Sequence, residues 1–118
     1  MSWFSAHTVI VVLKWYVLIF SRYLATTHFE PTYARAAFPC FDEPDLKAVF
    51  QMKMIRDDTH FSLFNMPLQE TRDIANGREM DVFYPTVQMS PYLVAFVVCD
   101  FKVISIESAN NIKVSFLL

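Results

Sequence analysis

One glycine, two cysteines and three histidines are spread over 118 residues, and charged residues make up only 19%. Each shortage narrows the reading. The single glycine confines the Asn-Gly hairpin signal to Asn76-Gly77. Cys40 and Cys99 show no C-x-x-C spacing and have apolar neighbours, so they read as separate buried thiols in preference to a disulfide. None of His7, His28 and His60 falls in H-E-x-x-H, and no helix carrying such a pair is readable. The His28-Phe29-Glu30 triplet leaves two metal ligands unsupplied. No Ser-His-Asp or Cys-His signature stands out. No catalytic residue and no metal ligand is therefore assigned.

Basic clusters are missing too. With a net charge of −2, nothing points to nucleic acid or an anionic membrane surface. Asn65, Asn76, Asn110 and Asn111 all fail N-x-S/T, which counts against a glycosylated ectodomain. Apolar residues, by contrast, are abundant: 54% of the chain, with twelve Phe. That exceeds what one domain of this size readily hides. A piece of a larger body, with partners covering one face, is the preferred reading over a Phe-rich core alone.

Residues 1–21 form an apolar leader. Val9–Leu13 and Trp15–Phe20 are apolar runs split by Lys14. A membrane span wants about 20 apolar residues, and a central Lys costs about 2.5–3.5 kcal/mol. A clear signal-peptide pattern is lacking. The β-branched and aromatic content suits a buried strand ending at Ser21–Ala25. A signal or anchor stays open, so membrane association through the leader and a cytoplasmic location both remain.

Residues 22–118 read as β structure. Pro31 opens a short helical turn near residues 32–37. Pro39 and Pro44 then enforce a loop. Leu46–Arg56 alternates as a half-buried strand, and Phe61–Asn65 is a shorter one ended by Pro67. Leu68–Glu79 reads as a hairpin turn with its flanks. Met80–Tyr84 and Tyr92–Phe101 are strands, the second apolar enough to be central and buried on both faces. Ile112–Leu118 starts another, inside which the sequence stops. The fold class is all-β, mostly antiparallel.

The run Thr26-Thr27-His28-Phe29-Glu30-Pro31-Thr32-Tyr33-Ala34-Arg35, continuing Ala36-Ala37-Phe38-Pro39-Cys40-Phe41-Asp42-Glu43-Pro44, fits neither a core strand nor an amphipathic helix. It resembles the segment T-Q-F-E-P-T-D-A-R-R-A-F-P-C-F-D-E-P of zinc aminopeptidases of the aminopeptidase N type. The likeness continues through Leu46–Phe50, Asn65-Met66-Pro67 and Met89–Phe101, covering Arg22 to Phe101, about two thirds of the chain. It implies a saddle-like N-terminal β-domain, with residues 22–118 as a part truncated at its C-terminal end. The chain lacks the family's G-A-M-E-N and H-E-x-x-H motifs and is expected to be inactive alone and to bind no metal. For the whole enzyme the resemblance implies zinc, a catalytic domain as the missing partner, and removal of single residues from peptide N-termini.

The resemblance also assigns substrate binding to Glu30. An α-amino group is mostly charged at neutral pH, and a charge-assisted hydrogen bond to a carboxylate contributes about 1.5–3 kcal/mol. The alternative is a cap on the helical turn after Pro31. His28 stands where the family has Gln and is a second candidate binding residue. An imidazole can still donate one hydrogen bond, but it takes a proton in mildly acidic solution and would then repel an ammonium. Tyr33 and Ala36 also depart from the family pattern. Arg35, Asp42 and Glu43 read as loop-fixing charges. A non-catalytic β interaction module, or an incomplete gene model with no independent activity, is the competing reading.

Overall fold

A computed structural model describes residues 24–110 and 113–117. The order is β1 (Leu24–Thr26), α1 (Ala34–Ala37), β2 (Lys53–Asp57), β3 (Phe61–Phe64), β4 (Leu68–Ala75), β5 (Arg78–Phe83), a 3₁₀ turn at Pro91–Leu93, β6 (Phe96–Cys99), β7 (Val103–Glu107) and β8 (Lys113–Leu117). Every pairing is antiparallel, in the orders β1-β6-β3, β2-β5-β4 and β7-β8. The all-β reading holds, and the short helix falls within the expected 32–37.

Local chemistry explains the boundaries. Between β4 and β5, Asn76 and Gly77 take φ of 58° and 68°, the left-handed pair that a tight two-residue hairpin demands. The Leu46–Arg56 stretch is regular strand only from Lys53. Its neighbour contains Pro85, which has no N–H to give a ladder. Contacts there are discontinuous: the Phe83 N–H donates to the Met52 carbonyl, the Thr86 N–H to that of Phe50, and Ala48 and Met89 exchange both bonds. The Tyr92–Phe101 stretch is likewise shorter than expected. Leu93 and Val94 donate back to Ser90 and Pro91, making the 3₁₀ turn, so the strand begins at Phe96. It is nonetheless the central strand of its sheet, with Phe96 and Cys99 buried and Val97 and Val98 half-buried. β7, at Val103–Glu107, is a strand that the sequence did not lead us to expect. The leader, residues 1–21, lies outside the described residues, and of the strand end expected at Ser21–Ala25 only Leu24 and Ala25, in β1, are described.

The two three-stranded sheets meet around one core. Phe29, Ala34, Val94 and Phe96 form its buried centre, with Phe38, Phe50, Met54 and Phe64 packed against it. Phe29, Phe38 and Phe50 make successive edge-to-face contacts at 6.0 and 5.9 Å, and Phe64 meets Phe83 at 5.5 Å across the sheets. Many large apolar side chains stay outside, among them Tyr33, Phe41, Val49 and Val87. Neither cysteine is in a disulfide. Burial and then the Asp42 charge push the Cys40 thiol up, with Arg35 pulling the other way.

Asp81 is the polar counterpart of the aromatic core. It is 1% exposed. Arg56 reaches it in a fork, Nε to Oδ2 at 2.6 Å and Nη2 to Oδ1 at 3.1 Å. Ser62 from the other sheet donates at 2.5 Å and Thr71 at 2.7 Å, while Glu79 Oε2 shares the same Arg56 Nη2 at 2.8 Å. Burial alone would raise the Asp81 carboxyl, but the bonds from Arg56, Ser62 and Thr71 outweigh it and hold it below the usual range. Removing one member of such a buried pair costs about 3–5 kcal/mol.

Candidate functional site

The segment from Thr27 to Phe50 is built by pinning an irregular chain at several points. Thr27 closes onto the start of β6: its N–H and hydroxyl donate to the Phe96 carbonyl at 3.2 and 3.4 Å, and the Phe96 N–H donates to its Oγ1 at 3.0 Å. Phe29 follows, buried in the core. Its carbonyl accepts from the Tyr33 N–H at 2.8 Å, and the Glu30-Pro31 peptide is cis. His28 and Glu30 therefore flank one buried ring, and both are exposed. No ion pair or hydrogen bond ties Glu30 to another described residue. The helix-cap role weighed for it is not seen, since Tyr33 occupies the cap position and no side chain caps the helix.

Asp42 fixes the following loop. Its side chain is 1% exposed, and Oδ2 accepts the Arg35 backbone N–H at 3.0 Å and faces Arg35 Nε at 3.5 Å. The expectation of loop-fixing charges is met for Arg35 and Asp42, whereas Glu43 contributes its carbonyl to Leu46. The sequence reading missed the remaining pins. Ser90 Oγ donates to the Pro44 carbonyl at 2.6 Å, and Thr86 Oγ1 accepts the Phe50 N–H at 2.9 Å. Both are buried polar residues, and their only signal was a hydroxyl beside a proline.

An open depression of about 190 Å³ lies beside Thr26 and Thr27, lined also by Phe64, Asn65, Ala95 and Phe96. Another, of about 300 Å³, sits at the β4–β5 hairpin tip. His28 and Glu30 line neither. Among the described residues no group of three or more His, Cys, Asp and Glu could hold a metal ion. Those residues thus do not fit a zinc site. No helix among them is long and apolar enough to cross a membrane, which says nothing of a β-barrel.

Residues 20–93 match the peptidase M1 N-terminal domain. The chain belongs to this family. Mouse endoplasmic reticulum aminopeptidase 1 is 53% identical over 94 residues, 80% of this chain and 10% of that protein. Human endoplasmic reticulum aminopeptidase 2 is 50% identical over 95 residues, again 80% and 10%. The membrane alanyl aminopeptidase of Manduca sexta is 45% identical over 94 residues, 78% and 10%. The chain spans about a tenth of the length of the curated relatives it matches. It is an N-terminal domain of the M1 zinc aminopeptidase family.

Proposed function

We propose that residues 22–118 form one wall of the substrate cleft of a zinc-dependent aminopeptidase, and that Glu30 receives the free α-amino group of the peptide. His28 stands beside it and donates from its imidazole. The zinc and its ligands, the proton-transferring groups and most side-chain selectivity belong to residues outside this chain's sequence. The domain by itself cleaves nothing in this reading.

The observation that supports it is the position of Glu30: an exposed carboxylate, without a partner among the described residues, held next to a buried phenylalanine. Thr27 on one side and the Tyr33–Phe29 bond on the other restrict the backbone at that point. A carboxylate held by its backbone and left without a partner is suited to accept from an ammonium, since little ordering remains to be done on binding. Relatives named as aminopeptidases give the substrate class.

The test replaces the matching segment of the mouse relative with residues 22–101 of this chain. Glu30→Gln and Glu30→Ala in that hybrid should lower kcat/KM for free-amino peptides by about 10- to 100-fold, the equivalent of one charge-assisted bond. Unchanged kinetics would remove Glu30 from the site.

A further inference from the structure

β4 is an edge strand. β5 lies on one side of it, and among the described residues no strand pairs with the other. All eight residues of Leu68–Ala75 are exposed. An open edge of that length presents a row of unpaired N–H and C=O groups, ready to template another strand. It carries no proline and no lysine; its charges, Glu70, Arg72 and Asp73, are of both signs, so they repel a second strand only in some registers. Irregularities between Leu68 and Glu70 and between Asp73 and Ala75 confine the regular ladder to the residues between them.

Within that stretch the charges are self-complementary about Thr71. Glu70 and Arg72 share the sheet face that carries Val82 and Met80, their register partners on β5. Thr71 points to the other face, where its hydroxyl donates to Asp81. Set antiparallel against a second copy with Thr71 opposite Thr71, Glu70 of each chain falls opposite Arg72 of the other. Two-fold symmetry makes this happen twice. A register displaced by one residue sets Glu70 against Asp73 or against Thr71, and the match is lost. Within a single chain Glu70 and Arg72 already pair with each other, so the two charges are held on the face where a second copy would meet them.

We infer that β4 pairs antiparallel with β4 of a second copy of this chain, centred on Thr71, so that two sheets join across an isologous interface. The pairing goes beyond the amine-binding role and does not depend on it.

Sedimentation equilibrium of the full 118-residue chain tests it. The wild type should self-associate. Glu70→Arg turns both cross-strand attractions into repulsions between two arginines, and Arg72→Glu turns both into repulsions between two glutamates. Each variant should dimerise about tenfold or more weakly than the wild type. An equimolar mixture of the two should recover association as a heterodimer. One strand then carries arginine at both positions and the other carries glutamate at both, so opposite charges face each other twice. Both sites are exposed, so unchanged circular dichroism should accompany the loss. A wild type that stays monomeric to its solubility limit overturns the inference. So do variants that associate as tightly as the wild type, or a mixture no tighter than either variant alone.

Discussion

The β2-β5-β4 sheet is anchored on a buried charge, whereas the Thr27–Phe50 segment is anchored on edge-to-face rings and scattered hydrogen bonds. Asp81 collects donors from three strands, one of them in the neighbouring sheet, and few alternative arrangements satisfy it. The second region has little regular structure beyond one short helix. Its fixity comes from Phe29, Phe38 and Phe50 in edge-to-face sequence, with Thr27, Asp42, Thr86 and Ser90 as point attachments. The difference separates two tasks. Regular sheet with a saturated carboxylate gives the domain a rigid body, while an irregular segment can hold His28 and Glu30 outward without requiring partners for them.

Substitutions should break the two regions to different degrees. Asp81→Ala leaves the Arg56 guanidinium, whose side chain is 9% exposed, without its fork partner. The expected loss is about 3–5 kcal/mol in urea unfolding, enough to abolish a cooperative transition in a marginal domain. Thr86→Val, in the irregular region, strands the Phe50 N–H and should cost about 1–3 kcal/mol by the same measurement. Acidification should separate the regions as well. The folded Asp81 carboxyl lies below its unfolded value of about 3.9, so its contribution is complete above that pH and disappears as pH falls through the folded value. The thermal midpoint should therefore drop in strong acid, and Asp81→Asn should flatten that drop while Thr86→Val should not. Phe41→Ser should change stability least, within about 0.5 kcal/mol, because Phe41 is 68% exposed.

Much of the fold was legible because its signals are local. Asn76-Gly77 announced the hairpin, Pro67 ended β3, and Pro31 and Pro39 bracketed the helical turn. The limits of Leu46–Arg56 and Tyr92–Phe101 were not legible, since they depend on what lies alongside. Pro85 interrupts the neighbour of the first, and the Asn65 amide bridges the Leu93 carbonyl and the Ala95 N–H beside the second. Asp81 was invisible for a similar reason: one acid in the run Met80–Phe83 looks like a surface residue until Arg56, Ser62 and Thr71 converge on it. At the candidate site, the order of residues around Glu30 indicated a role, and the pinning of Thr27 and the cap position at Tyr33 appear only in three dimensions.

The most direct test of the central claim compares free-amino and N-acetylated peptides as ligands of the hybrid aminopeptidase, with Glu30 and with Glu30→Gln. The free-amino peptide should bind more tightly than the acetylated one, and Glu30→Gln should erase most of that preference while leaving the acetylated peptide unaffected. Equal preference in both proteins would contradict a role for Glu30 in holding the amine.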